Sequence, residues 1–205
     1  MHGYAGSASP ALLRAVAEAD LVVGGQRHLD ALGVPVDRRI VLGPLAPAIE
    51  ALAGLPQDAK ALVIASGDPL FHGVVRPLRA AGLRVTVVPA VSSLQLAFAA
   101  VALPWDDALL VSAHGVDPGP ALEACRVHPK VGVLTDPKVG LAQLVAATAG
   151  LGRTFVLAER LGEVDERVRV LSEDEARAVD DATQPNVVLV LAHHPDDPAA
   201  LGDHA

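Results

Sequence analysis

The sequence is short of aromatic residues and has one cysteine. Aromatic side chains make up 2% of the chain and hydrophobic residues 51%, so alanine, valine and leucine must fill the core. The single cysteine, Cys125, excludes an internal disulfide and a zinc site built from cysteines. It follows PALEA on a predicted helix, where we expect a small buried residue.

Signals for membranes and export are also missing. No apolar run reaches the length of about 20 residues that a membrane-spanning helix needs, and the first residues lack the basic region and apolar core of a secretion signal. The formal net charge of -8 disfavours binding to nucleic acid or to an anionic membrane. No histidines have the spacing of a metal site, so no metal is expected. We therefore expect a cytoplasmic protein that binds neither membranes nor nucleic acid.

Short apolar segments alternate with helical patterns in the first half of the chain. Residues 21–25, 40–43, 61–66 and 84–89 are predicted to be buried strands, because each is rich in β-branched residues and closed by Gly, Ser or Pro. A helix is predicted to begin with Ser9 as its cap and Pro10 at its first position. Another is predicted to stop at Gly54. Alternation of this kind predicts a parallel sheet covered by helices on both faces.

The second half resumes the alternation after a break at LPWDD. Strands are predicted in ALLVS, VGVL, TFVLAE and NVVLVLA, and the amphipathic segment 167–171 is predicted to be an antiparallel edge strand followed by a helix capped by Ser172. The stretch 91–102 is apolar nearly all round and is predicted to be a buried helix. We therefore predict an α/β protein of two domains, residues 1–105 with a mainly parallel sheet and residues 106–205 with a mixed sheet. No strand is predicted before the first helix.

Polar residues come directly after many of the predicted strands, at the ends where open α/β sheets bind ligands. In SGDP, Asp68 either caps a turn or accepts hydrogen bonds from a ligand. In VSS, the serines either cap the next helix or offer a helix N-terminus to a ligand. His28, His72 and His114 are predicted in loops at strand ends. No G-x-G-x-x-G, P-loop or G-x-S-x-G motif is present, which argues against a nicotinamide oxidoreductase and a serine hydrolase.

Six segments, in chain order, resemble the tetrapyrrole methylase family of S-adenosylmethionine-dependent methyltransferases. They are ADLVVGGQRHL, ASGDPLFHG, VPAVSSLQLAFAAVALPWDDALLVSAHG, VLTDP, LAERLGEVDERV and PNVVLVL, and they span nearly the whole chain. GDPLFHG is typical of the whole family. GGQRHL, VSSLQLAFAAVALPW and SAHG together resemble the branch that methylates C5 of precorrin-7 or cobalt-precorrin-7, giving precorrin-8 or cobalt-precorrin-8, in cobalamin (vitamin B12) biosynthesis.

The resemblance implies a two-domain tetrapyrrole methylase fold with S-adenosylmethionine in the cleft between the domains and S-adenosylhomocysteine as a product. It also implies a tetrapyrrole substrate, a homodimer, and functional coupling to a C15-methyltransferase/decarboxylase. The residues that it implies for cofactor binding are Gly67, Asp68, Phe71, Ser92, Ser93, Leu134, Thr135, Ala158 and Val187.

Catalytic roles are assigned by the chemistry of the substrate that the resemblance implies. Arg27 and His28 would bind its carboxylates, because arginine can hold a carboxylate through two hydrogen bonds; Arg160 is a further candidate. His114 would orient the macrocycle or accept a proton after transfer. The alternatives are a solvated loop position for Arg27 and a strand-end hydrogen bond for His114.

The start of the chain departs from the family pattern. Members begin with a strand and a Gly-rich loop, and HGYAGSASPALL resembles the segment after that strand. We therefore predict that the first strand is missing, through a misassigned or trimmed start or through a genuine loss. Two other functions stay open at this point: a tetrapyrrole methylase with another target carbon or macrocycle, and a non-catalytic subunit that binds the cofactor or a partner.

Overall fold

Strands and helices alternate from the second residue of the chain onward. The computed structural model describes residues 1–202, which group into one unit of Met1–Ser92 and a second unit that begins at Ser93. The first unit has strands β1 (His2–Tyr4), β2 (Leu21–Gly24), β3 (Arg39–Val41) and β4 (Ala61–Ser66), and helices α1 (Pro10–Glu18), α2 (Gln26–Ala31), α3 (Leu45–Ala53) and α4 (Val75–Ala80). The strands form one parallel sheet in the order β1-β4-β2-β3, as the alternation predicts.

Helices cover both faces of this sheet. Neighbouring residues of β2 point to opposite faces, so Val22 packs with Leu12 of α1 while Val23 packs with Ala48 of α3. The α1 helix begins as predicted, with Pro10 at its first position and Ser9 accepting a hydrogen bond from a backbone amide of the first turn. The predicted parallel sheet with helices on each side is therefore confirmed.

The structure corrects the prediction that the first strand is missing. Residues His2–Tyr4 form β1, which pairs in parallel with β4 and places Tyr4 opposite Ser66. On its other side, the amide of Gly3 donates to the carbonyl of Val88 over 2.8 Å. The strand is three residues long, too short to show an apolar pattern in the sequence. The segment 84–89, predicted as a strand, contributes an isolated bridge from Val88 to His2.

The second unit is built around a five-stranded mixed sheet. Its strands are β5 (Leu109–Ser112), β6 (Lys130–Leu134), β7 (Thr154–Glu159), β8 (Arg167–Leu171) and β9 (Asn186–Leu191), and its helices are α5 (Ser93–Ala100), α6 (Gly119–Val127), α7 (Leu141–Ala147) and α8 (Glu173–Arg177). The order is β5-β6-β9-β7-β8; β5 and β6 are parallel, and the other neighbours are antiparallel. The predicted mixed sheet and the antiparallel edge strand are confirmed, as is the cap of α8 at Ser172.

The buried helix α5 packs against one face of this sheet. A Cβ atom added to Gly132 of β6 would lie 3.2 Å from Leu94 and 3.3 Å from Phe98, so glycine lets the helix approach closely. The predicted division near residue 105 lies after this helix, whereas the two compact units of the structure divide before it, between Ser92 and Ser93. The domain limits from the sequence stay a prediction.

Lys130, at the start of β6, ties the preceding LPWDD segment to the second sheet. Its buried ammonium group donates to the carboxylate of Asp107 over 2.6 Å and to the carbonyl of Pro104 over 3.0 Å.

Within residues 1–202, no helix is long and apolar enough to cross a membrane.

Candidate functional site

In the first unit, a buried histidine lies beside the C-terminal ends of two strands. His28 is 7% exposed, and its Nε2 atom is 3.2 Å from the hydroxyl oxygen of Ser66. The ring of Tyr4 meets its imidazole edge to face, with the ring centres 5.2 Å apart. His28 and its exposed neighbour Arg27 belong to α2, which comes after β2 without the loop that the sequence predicts. The sheet thus fixes His28 next to the SGDP segment, while Arg27 faces solvent.

The SGDP segment turns tightly at the end of β4. Gly67 has a φ of +59°, in the left-handed region that favours glycine, and its amide donates to the carbonyl of Tyr4 over 2.8 Å. The carboxylate of Asp68 accepts a hydrogen bond of 2.9 Å from the amide of Leu70. Phe71, one residue on, meets the ring of His72 edge to face at 4.8 Å. Asp68 therefore caps its own turn, and a carboxylate has further lone pairs for a ligand.

The two serines of VSS stand where the first unit ends and α5 begins. Ser92 is buried, and Ser93 is the first residue of α5. Both therefore lie at the N-terminal end of the helix, the position that the sequence predicts for them.

In the second unit, three residues predicted to bind the cofactor lie side by side across three strands. Val187 of β9 is directly opposite Leu134 of β6 and directly opposite Ala158 of β7. Alternate strand residues share a face, so all three lie on the face of the sheet opposite to that of Val133, Leu157 and Val188. Segments more than 20 residues apart in the sequence thus form one apolar row.

Thr135, the next residue after this row, is buried and firmly held. Its hydroxyl oxygen is 2.6 Å from the main-chain carbonyl of Asn186 and 2.7 Å from the side-chain carbonyl of the same residue. The side-chain amide of Asn186 in turn donates to the carbonyl of Thr183 over 2.7 Å. The Thr135 side chain is therefore occupied within the protein.

The imidazole of His114 contacts the main chain at the same strand end. The Nδ1 atom of the exposed ring is 3.3 Å from the carbonyl oxygen of Thr135. A carbonyl can only accept, so Nδ1 carries the proton of this hydrogen bond and Nε2 is the acceptor nitrogen of the neutral ring. The strand-end hydrogen bond and a chemical role for His114 are therefore compatible.

Asp136 fixes the loop around His114. Its carboxylate accepts hydrogen bonds from the amides of Val139, Lys138 and Gly115, and these bonds hold the pKa of Asp136 below its usual value. The bond from Gly115 ties SAHG directly to TDP. The two motifs, 20 residues apart in sequence, are thus parts of one polar cluster.

The structure shows the surroundings of two other residues that the sequence singled out. Arg160 donates to Asp165 over 2.7 Å and to Glu163 over 2.6 Å, so its charge is balanced within its own loop. Cys125 is fully buried, and burial raises the pKa of its thiol to about 12, so it carries no thiolate near neutral pH. Among the residues described, no three His, Cys, Asp or Glu side chains come together in a group that could hold a metal ion.

Sequence reasoning missed a buried carboxylate at the end of β7. Glu159 is 0% exposed, and its oxygens accept hydrogen bonds from Arg167 at 2.8 and 3.1 Å. Burial by itself raises the pKa of Glu159, but the bonds from Arg167 and Thr183 and the charge of Arg169 outweigh it, so the pKa is lowered. The signal was in the sequence, because a carboxylate ending an apolar strand must find partners when it is buried.

Comparisons with known proteins identify the family of the chain. A family model described as Tetrapyrrole (Corrin/Porphyrin) Methylases matches residues 2–177. The chain is 30% identical over 188 residues to a cobalt-precorrin-7 C(5)-methyltransferase of Salmonella typhimurium, covering 89% of this chain and 91% of that protein. It is 35% identical over 167 residues to a decarboxylating precorrin-6Y C(5,15)-methyltransferase of Sinorhizobium sp, covering 76% of this chain and 39% of that longer protein.

The fold matches solved structures as well. A uroporphyrin-III C-methyltransferase of Thermus thermophilus, solved in complex with S-adenosylhomocysteine, superposes with a TM-score of 0.66 at 19% identity. The match covers 89% of this chain and 90% of that one. The family match over most of the chain and the shared fold lead to one conclusion: the chain belongs to the tetrapyrrole (corrin/porphyrin) methylase family.

Proposed function

We propose that the protein is an S-adenosylmethionine-dependent C-methyltransferase that methylates C5 of precorrin-7 or cobalt-precorrin-7. The observation that carries the proposal is the similarity, over nearly the whole of both chains, to a cobalt-precorrin-7 C(5)-methyltransferase. The GGQRHL and SAHG segments, which resemble the same branch, support it.

The residues at the strand ends fit the cofactor chemically. Leu134 is partly exposed and offers an apolar contact, while its neighbours Val187 and Ala158 are buried beside it. Pockets for small molecules combine an apolar lining with a few placed polar groups. In the first unit, Asp68 supplies a negative charge that suits a cationic ligand. When bound, S-adenosylmethionine supplies an electrophilic methyl group on a positively charged sulfur.

The protein's main task is then to align the reacting atoms. The acceptor carbon of a reduced tetrapyrrole is enamine-like and already nucleophilic, so position contributes more than base strength. We assign the proton that leaves the substrate to Nε2 of His114, because Nδ1 is held by the carbonyl of Thr135. Arg27, exposed on α2, is assigned to a carboxylate of the substrate. His28 is assigned to holding the strand end through Ser66.

A methyl-transfer assay tests this proposal. The full chain is incubated with S-adenosylmethionine and precorrin-7, and S-adenosylhomocysteine and the methylated tetrapyrrole are measured together, with a calorimetric titration of S-adenosylhomocysteine in parallel. We expect both products in equal amounts. Binding of S-adenosylhomocysteine without turnover on any tetrapyrrole would instead indicate a non-catalytic subunit. Turnover on another macrocycle alone would indicate a different methylase.

Three further predictions accompany the function. The chain is expected to form a homodimer, to act in the cytoplasm, and to work with a C15-methyltransferase/decarboxylase. The last expectation is supported by the Sinorhizobium relative, whose name joins the C5 and C15 activities in one protein. Size-exclusion chromatography with light scattering tests the homodimer directly.

A further inference from the structure

A chain of hydrogen bonds begins at the buried carboxylate of Glu159. Glu159 of β7 is directly opposite Asn186 of β9 in the sheet register. Its Oε1 atom accepts from the amide of Thr183 over 2.7 Å and from the hydroxyl of the same residue over 3.1 Å. The carboxylate therefore holds the loop that leads into β9 by both the main chain and the side chain of Thr183.

The same chain continues to the predicted cofactor end of the sheet. The carbonyl of Thr183 accepts from the side-chain amide of Asn186 over 2.7 Å, and the oxygens of Asn186 hold the hydroxyl of Thr135. The carbonyl of Thr135 then accepts from Nδ1 of His114 over 3.3 Å. Hydrogen bonds thus link the buried charge of Glu159 to the exposed imidazole through segments that are distant in the sequence.

Two arginines of the edge strand β8 keep this carboxylate charged. Arg167 bonds both of its oxygens, and Arg169 has Nη2 3.1 Å from Oε2. The same arginines are also paired with Asp181, each over 2.7–2.8 Å. Asp181 is 56% exposed by its side chain, whereas Glu159 is 0% exposed. Asp181 therefore balances arginine charge at the surface, whereas Glu159 reaches inward to Thr183.

A buried ion pair adds little net stability compared with a well-packed apolar side chain. A role in stability therefore does not by itself account for a carboxylate at this place. What an apolar residue could not supply is a pair of hydrogen bonds to Thr183. Because the loop before β9 leads directly into Asn186, these bonds set where the Asn186 side chain lies, and so where Thr135 lies.

We propose that Glu159 is a positioning residue, which acts through Thr183 and Asn186 to fix Thr135 and the imidazole of His114. The inference rests on the proposed function, since His114 is assigned there to the proton and Thr135 is among the residues that the family resemblance implies for cofactor binding. Glu159 is not among the residues to which the proposed function assigns a role. Under this proposal Glu159 itself touches neither the cofactor nor the substrate.

The test compares four variants of the full chain. Glu159→Ala removes the whole link, and Glu159→Gln keeps one acceptor oxygen for Thr183 without the charge. Asn186→Leu removes the side-chain bonds to Thr183 and Thr135 at similar volume, keeps the main-chain carbonyl of residue 186 for Thr135, and leaves every charge in place. It serves if Glu159→Ala fails to fold. Asp181→Asn is the control, because it removes charge beside the same arginines but not the bonds to Thr183.

Two readouts are measured on each variant. The first is the NMR signal of the carbon-bound ring protons of His114, which needs no ligand. The second is the Kd of S-adenosylhomocysteine by calorimetry. We expect Glu159→Ala and Asn186→Leu to move the His114 signal and to raise Kd about tenfold, the size of coupling carried by residues that do not touch a ligand. Glu159→Gln should retain most of the affinity, and Asp181→Asn should match the unmodified protein.

Each result has one meaning. An unchanged His114 signal in Asn186→Leu overturns the proposal, and so does a Glu159→Gln variant as impaired as Glu159→Ala, because charge and not the link would then matter. A moved His114 signal in a protein that never binds S-adenosylhomocysteine would uphold the positioning role and defeat the proposed function. If Glu159→Ala and Asn186→Leu left the Kd of S-adenosylhomocysteine unchanged in an active enzyme, Glu159 would not position Thr135 for the cofactor.

Discussion

The Nδ1 atom of His114 lies 3.3 Å from the carbonyl oxygen of Thr135, so the other ring nitrogen is the one able to accept a proton. This relationship joins two motifs that are 20 residues apart in the sequence. It places an imidazole at the end of β6, beside the row of Leu134, Val187 and Ala158.

Replacing this imidazole tests its role in proton transfer. We expect His114→Ala to lower kcat about 100-fold, the lower end of what a positioned general base contributes, while the Kd of S-adenosylhomocysteine stays within about twofold. His128→Ala, at an exposed position after α6, is the control and should leave kcat unchanged. Steady-state kinetics with saturating S-adenosylmethionine give the answer. Normal turnover in His114→Ala would remove the residue from proton transfer.

Asp68 either only caps its turn or also binds the cofactor, and Asp68→Asn separates the two. Asparagine keeps the side-chain oxygen that accepts from the amide of Leu70, so the midpoint of denaturant unfolding should not change. Loss of the charge should raise the Kd of S-adenosylhomocysteine about tenfold, because hydrogen bonds to charged groups are worth about 1.5–3 kcal/mol. A calorimetric Kd equal to that of the unmodified protein would reduce Asp68 to a turn cap.

Replacing Gly3 with alanine tests the pairing of the first strand, β1. A Cβ atom there would lie 2.2 Å from the carbonyl oxygen of Gly67 and 2.5 Å from the amide nitrogen of Ala90, and both are main-chain atoms that cannot step aside. We expect Gly3→Ala to lower the free energy of unfolding by about 1–3 kcal/mol, as overpacking does. Gly43→Ala is the control, because an added Cβ there meets nothing within 4 Å. Equal unfolding midpoints for the two variants would contradict the pairing of β1.

The pairing of Asp181 with Arg167 and Arg169 predicts acid sensitivity. These partners lower the pKa of Asp181 from 3.8 to about 2. When the pKa of a carboxyl is lower in the folded state than in the unfolded state, its contribution to stability is complete at pH values above the unfolded-state pKa. That stabilisation is lost as the pH falls from about 4 to about 2.

Denaturant unfolding followed by circular dichroism across this pH range checks the effect. Asp181→Asn should be less stable than the unmodified protein at about pH 5 and should approach it as the pH falls toward about 2. Salt should shrink the difference, because Asp181 is exposed. Asp58→Asn, an exposed aspartate before β4, is the control. A constant difference between Asp181→Asn and the unmodified protein at every pH would contradict the pairing.

The longer strands and the first helix were readable from the sequence, because their patterns are local. The six-residue strands β4, β7 and β9 have continuous apolar runs, and α1 has its serine cap and its proline. The strand β1 was missed because three residues carry no period, and its place depends on β4 and Val88, which are distant in sequence. Residues 84–89 show the reverse error, since a segment rich in β-branched residues does not guarantee a partner for every residue.

The candidate site was also readable from the sequence only in part. The motifs gave Leu134, Ala158 and Val187, but only the strand register shows that they are neighbours. Arg27 and His28 were predicted in a loop, whereas α2 begins directly after Gly25. The link through Thr183 was missed because hydrogen bonds between distant segments leave no periodic trace in the sequence.

The most direct test of the proposed function is the position of the transferred methyl group. The full chain is given S-adenosylmethionine with an isotopically labelled methyl group and either precorrin-7 or cobalt-precorrin-7, and the product is examined by NMR. We expect label on C5 alone, with one S-adenosylhomocysteine formed for each methyl transferred. Label at another ring carbon, or no transfer to either macrocycle by a protein that binds S-adenosylhomocysteine, would contradict the assignment.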